Sequence, residues 1–193
     1  ISRAQFGDFP AFIVPGNQIV SVLEFPAFAL LGVVSAGVAI VLMKSIGYTQ
    51  ELALKMPLPR WAHPMVGGLL VGIIALVFPQ VLGVGYGTTD AALKENLDLT
   101  LLIALLVAKT LAVALSLGTG FGGGVFSPSL FLGAMIGGAF GLVAAAPFPE
   151  LASGLSAYTL VGMGAVAGAV LGAPISTILI MFELTGDYAV TVA

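Results

Sequence analysis

The sequence predicts an all-α integral membrane protein whose transmembrane helices are tilted and broken. Three observations carry that prediction. Of 193 residues, 59% are apolar and only 8% are charged, whereas a soluble domain carries about a quarter charged residues. The apolar residues fall in uncharged runs long enough to cross a bilayer. Several of those runs are cut short by Gly or Pro, which straight-helix bundles do not need and ion-lining broken helices do. Mean hydropathy is +1.15 and Gly is abundant at 26 residues, in keeping with close helix packing in lipid. The formal net charge of -3 gives no reason to expect a nucleic-acid or polyanion partner. The chain has no Cys, which removes disulfides, thiolate metal sites and cysteine nucleophiles.

Residues 1–21, with Arg3, Asp8, Pro10, Pro15 and Asn17, read as the tail of one helix and a loop at the membrane surface. Glu24 and Lys44 bracket an uncharged run over residues 25–43, about 28 Å long as a helix. Its Gly32, Ser35 and Gly37 suit tight packing against a neighbour. Residues 47–60 are polar, with Pro57 and Pro59 as breakers. Lys44, Lys55 and Arg60 cluster there and favour the cytoplasmic side for this connection.

Residues 61–78 form a second membrane segment, with Trp61 placed as an interfacial anchor and Pro79 ending it. His63, beside Pro64 at the helix start, reads as a surface cap rather than a metal ligand, since no acidic or cysteine partner is near in sequence. Residues 84–96 are a short mixed segment with a partial helix. Residues 99–117 are a third apolar run, interrupted by Lys109. Residues 126–146 are a fourth, closed by Pro147-Phe-Pro149-Glu150. Residues 157–171 are a fifth, broken by Gly172-Ala-Pro174, and residues 175–184 are a sixth. The sequence enters mid-pattern at Ile1, with no basic leader or cleavage site visible, and reads as part of a longer protein.

The most informative stretch joins the third and fourth runs: Gly118-Thr-Gly-Phe-Gly-Gly-Gly-Val-Phe-Ser-Pro-Ser-Leu-Phe131. Five of its first seven residues are Gly, which lets the backbone turn freely. Ser127-Pro128 then reads as a helix start, with Ser at the N-cap and Pro at the first helical position. Such a turn presents free N–H groups and the positive end of a helix dipole, an anion site made without a basic side chain. No charged residue lies between Lys109 and Glu150, so the site is sunk in apolar sequence. The first amides to touch an anion are those of Val125 and Phe126, on a loop shaped by Gly122, Gly123, Gly124, Ser127 and Pro128. On spacing alone, a glycine loop between packed helices explains the stretch equally well. No Gly-Lys-Ser/Thr follows the glycines, so a nucleotide loop is not supported.

Other motifs weigh less. Lys109 at membrane depth is either a structural lysine with a partner or a positive potential drawing anions to a vestibule; the structural reading is favoured. Glu183 alone suggests a proton-relay carboxylate, but a structural pin near a helix end is favoured. Val84-Gly-Tyr-Gly87 looks like a potassium filter, yet Gly83 stands where threonine is needed and no aromatic pore helix precedes it. An intramembrane hydrolase needs a nucleophile and a base; Ala152-Ser-Gly154 lacks the preceding glycine, and no enzyme is expected. Another broken-helix transporter or a cation channel remains the alternative to an anion path.

Gly124-Val-Phe-Ser-Pro128 resembles the G-x-F-x-P motif of the CLC family of voltage-gated-type chloride channels and chloride/proton antiporters. The likeness continues in Leu82-Gly-Val-Gly-Tyr86, Lys109-Thr, Gly118-Thr-Gly, Tyr158, Gly162-Met-Gly-Ala165, Gly172-Ala-Pro174 and Phe182-Glu-Leu-Thr-Gly-Asp-Tyr188, in the family's order. It implies that residues 1–193 are the second half of an inverted-repeat membrane domain, and that the Val125 and Phe126 amides coordinate chloride. It further implies a multi-pass protein in the lipid bilayer, of a bacterial-type plasma membrane, working as a homodimer with no cofactor and no metal. The helix after Pro174, with Ile175, Ile178, Leu179 and Phe182, would contribute to the dimer contact. The family's G-S-G-I-P and G-x-E-G-P loops are absent from this sequence, and Tyr188 does not match the family's late tyrosine. The chain by itself is therefore expected to hold only part of one anion site.

Overall fold

A computed structural model describes residues 25–94, 96–145 and 154–185. The expectations for residues 1–21, the closing Pro147-Phe-Pro149-Glu150, the Ala152-Ser153 pair and Tyr188 lie outside them. Seven α-helices are described, and no strand occurs among the described residues. They are α1 (Phe25–Lys55), α2 (His63–Val77), α3 (Tyr86–Leu93), α4 (Leu99–Gly118), α5 (Phe126–Ala145), α6 (Leu155–Leu171) and α7 (Pro174–Thr185). Single 3-10 turns at Arg60–Ala62 and Pro79–Val81 lead into and out of α2.

Four helical segments are long and apolar enough to cross a membrane: Phe25–Lys55, Arg60–Val77, Leu99–Gly118 and Phe126–Ala144. The remaining apolar helices, Leu155–Leu171 and Pro174–Leu184, are shorter. Long spans mixed with short, interrupted ones are the pattern expected of broken-helix membrane proteins.

The first helix outlasts its uncharged run. It continues unbroken through the polar stretch from Gly47 to Lys55, 31 residues in all, and stops before the expected breaker Pro57. Hydropathy falls at the membrane edge, but the backbone keeps its i→i-4 bonding until Pro57 removes a donor and crowds the preceding residue. At about 46 Å, α1 outruns a bilayer core. Its extension packs: Thr49 lies so near Gly118 at the end of α4 that a Cβ there would fall 2.6 Å from the threonine Cβ.

The core lies between α4, α5 and α6, with α1 laid across all three. Its largest fully buried side chains include Phe131, Leu105, Leu132, Met135 and Met163. A second cluster joins Leu42 to Val113, Leu132 and Val166. At one end, Phe28 and Tyr158 stack with ring centroids 5.1 Å apart. The α5–α6 contact is the most extensive pairing and is made by small residues. A Cβ on Gly133 would fall 2.5 Å from Met163 Cα, and one on Gly162 would fall 2.7 Å from Gly137 Cα. The outer faces of α1 and α2 stay apolar and exposed, as at Val33, Leu69, Leu76 and Val77, which suits a lipid-facing surface.

His63 is not a surface cap. It is buried, 8% exposed, and its Nε2 has no hydrogen-bond partner among the described residues. Trp61, just before this helix, is 72% exposed.

Candidate anion site

The site begins where α4 stops. Gly120 donates its N–H to the Leu117 carbonyl at 3.2 Å and Phe121 donates to Ser116 at 3.0 Å. This paired bonding is a Schellman ending, and Gly120 takes the left-handed position it needs, with φ +100°. The Thr119 hydroxyl adds a bond to the Leu115 carbonyl at 2.7 Å. The Leu115, Ser116 and Leu117 carbonyls, in the last turn at the negative end of the α4 dipole, are thus occupied.

The chain then crosses Phe121, Gly122, Gly123 and Gly124, all exposed, without regular structure. α5 starts at Phe126. Ser129 donates its N–H to Val125 at 3.0 Å, the first intrahelical bond, so Val125 is the N-cap. This corrects the expected start: Ser127 and Pro128 stand two positions further in, at the second and third helical residues. Pro128 is still tolerated there, because no N–H in the first turn has an intrahelical acceptor. The Ser129 hydroxyl turns back to the Phe126 carbonyl at 2.6 Å.

The shift changes the donor count. The N–H groups of Val125, Phe126 and Ser127 have no backbone acceptor among the described residues, and Pro128 has none to offer. Ser127 is a main-chain donor as well, which the Ser-Pro spacing does not reveal because it points to the serine side chain as a cap. Three adjacent free amides at the positive end of a 20-residue helix suit a partly dehydrated anion.

Beside this turn lies a cavity of about 230 Å³. Gly122, Gly123, Gly124 and Pro128 line it, with Ser116 and Lys109 of α4 and residues 81–83. Val125 and Phe126 sit between lining residues in sequence but do not themselves line it; both are half-buried. Lys109 is the charged side chain of the lining. It is 4% exposed, and its Nζ donates to the carbonyls of Val81 at 2.7 Å and Gly83 at 2.8 Å. Those carbonyls are drawn inward to a lysine, and Gly85 caps α3 in a left-handed conformation. Residues 84–87 therefore form a helix start rather than a ring of cation-binding carbonyls. Glu183 is not brought to the turn: it is exposed on α7, whose principal packing partner is α6.

A model of the voltage gated chloride channel family matches residues 1–193. The chain belongs to this family. Its curated relatives include chloride channel protein CLC-f of Arabidopsis thaliana, 33% identical over 98% of this chain and 26% of the relative. The putative chloride channel protein ClcB-like of Ralstonia nicotianae is also 33% identical, over 98% of this chain and 44% of the relative. The H(+)/Cl(-) exchange transporter ClcA of Yersinia pestis is 30% identical over 83% of this chain and 34% of the relative. The chain thus spans from about a quarter to under half of the curated relatives it matches. As an integral membrane member of this family, it presents the glycine turn and its free amides as the feature most directly suited to an anion.

Proposed function

We propose that this chain forms part of a transmembrane chloride pathway, with the anion held by the main-chain N–H groups of Val125 and Phe126 at the start of α5. Ser127 extends that donor set, and Gly122, Gly123, Gly124 and Pro128 shape the approach. The observation that carries the reading is the row of free amides at the α5 N-terminus, in a chain whose relatives are named as chloride channels and H(+)/Cl(-) exchangers. A chloride leaving water needs replacement hydrogen bonds but not a fixed full charge, which would hold it too tightly to conduct. Amide dipoles meet that need.

Two further readings go with it. The exposed Ile175, Ile178 and Leu179 of α7 form an apolar face fit for a second copy of the protein, making a homodimer. The bacterial relatives favour a bacterial-type plasma membrane as the setting. Crosslinking through cysteines placed at Ile175 and Leu179 tests the first, and membrane fractionation the second.

The deciding experiment uses the full-length protein in chloride-loaded liposomes, with voltage clamped by a potassium ionophore and external pH followed alongside efflux. Chloride efflux is expected; proton uptake with it identifies an exchanger, and its absence a channel. Val125→Pro deletes one donor and is expected to weaken chloride binding about tenfold, the scale of one hydrogen bond to a charged group. Unchanged chloride affinity in Val125→Pro would return the turn to a packing role.

A further inference from the structure

We infer that Lys109 is a positioning residue for the amide turn, acting through Phe131 rather than as a source of positive potential. The inference rests on the amide reading above and names a residue that tunes it.

An ammonium buried within an apolar helix is costly unless its protons are satisfied. Among the described residues no carboxylate pairs with Lys109; the described ion pair is Lys94 with Asp90, at the surface. Lys109 instead donates to two carbonyls, Val81 at 2.7 Å and Gly83 at 2.8 Å. Its Nζ also stands 5.1 Å from the centroid of the Phe131 ring, within cation–π range. The charge is thus engaged by groups of this chain.

The Phe131 ring is held from a second direction. Gly85 has φ +82°, and a Cβ on it would fall 2.5 Å from Phe131 Cδ2, so its backbone lies directly against the ring. Phe131 is fully buried and belongs to α5, within two turns of Val125. A ring fixed between the Lys109 ammonium and the Gly85 backbone fixes the rotation of α5 about its own axis. Cα atoms lie about 2.3 Å from a helix axis, so a turn of about 20° displaces them by about 0.8 Å and re-aims the N–H groups between them. That is enough to spoil a hydrogen bond to an anion. Lys109 therefore ties residues 81–85, α4 and the first turns of α5 into one unit whose geometry the amides inherit.

The test is made on the full-length protein in liposomes, measuring chloride affinity and the nitrate-to-chloride transport ratio. Phe131→Leu changes no charge and keeps an apolar side chain. Lys109→Met removes the clamp, and Lys109→Arg keeps donors able to reach both carbonyls. Positioning predicts that Phe131→Leu shifts the ratio by about threefold or more, within the range by which residues outside a site alter coupling. It predicts a shift in the same direction for Lys109→Met, no added shift in the double variant, and partial rescue by Lys109→Arg. A field source predicts a normal ratio in Phe131→Leu and a loss of flux in Lys109→Met that depends on ionic strength; that result overturns the inference. If Lys109→Met does not assemble, Phe131→Leu and Lys109→Arg still decide. Normal chloride affinity in Val125→Pro sinks the amide reading itself, whereas a defective Val125→Pro with a silent Phe131→Leu sinks only the role given to Lys109.

Discussion

Replacing Gly133 by alanine adds one methyl group at one of the closest helix-to-helix backbone contacts among the described residues. The new Cβ would lie 2.5 Å from Met163 Cα and 2.8 Å from Gly162 C. Both are backbone atoms of α6, which cannot rotate aside as a side chain can. Ordinary carbon contacts begin near 3.5 Å, so α5 and α6 must part by about 1 Å. A gap of that size forfeits about a quarter to a half of each contact's attraction. An interface on the order of fifty atom pairs at about 0.1–0.2 kcal/mol each then loses about 1–5 kcal/mol. Alanine's better helix propensity returns about 1 kcal/mol, leaving a net cost of up to about 4 kcal/mol. Gly32→Ala on α1 meets nothing within 4 Å and receives only the propensity gain. Gly138→Ala, first meeting Leu102 at 3.4 Å, should fall between them. The assay is thermal loss of the monodisperse peak of the full-length protein in detergent. The order Gly32→Ala, Gly138→Ala, Gly133→Ala from most to least stable is expected. Gly133→Ala as stable as Gly32→Ala would refute the close-contact reasoning.

Other outcomes follow from single features. Gly83 and Gly85 both have positive φ, but only Gly85 lies against Phe131. Both alanine variants should pay about 1–2 kcal/mol of left-handed strain, and Gly85→Ala should be clearly the less stable by the same thermal assay. Lys94→Ala removes an exposed pair with Asp90 and should change stability by under about 0.5 kcal/mol; a larger loss in a thermal scan would mean the pair does more than its exposure implies. Val125→Pro should lower chloride affinity about tenfold in isothermal titration of the purified protein, with nitrate weakened alongside because both anions use the same donor.

Hydropathy locates α2, α4, α5, α6 and α7 to within about two residues, because in a bilayer the apolar run and the helix share one cause. It fails in α1, where the helix extends past Met43 into polar sequence to reach Gly118. Nothing in a local pattern announces a partner on another helix. The α5 start was legible as a turn but misplaced in detail, since Ser-Pro fits two positions of a first turn equally well and only the Ser129–Val125 bond distinguishes them. The Lys109 clamp spans 28 residues to Val81; a lone lysine in an apolar run signals that a partner exists, but two main-chain carbonyls leave no mark in sequence. His63 shows the same limit, because a polar residue beside a proline reads as surface until a neighbour covers it.

The two helix ends that meet around the glycine turn are treated unequally: the Leu115, Ser116 and Leu117 carbonyls of α4 are taken up by Thr119, Phe121 and Gly120, while the first α5 amides have no backbone acceptor among the described residues. No residue from Thr110 to Ala145 carries an ionisable side chain of acid or base type. Whatever preference for negative ions the turn has is therefore written in peptide bonds, which do not titrate across the physiological range and which side-chain replacement can shift but not remove. Acid or alkali cannot switch it off, and among the common amino acids only proline can erase one of its donors. Any response of this turn to pH must accordingly come through groups outside residues 110–145, while its own donors stay constant.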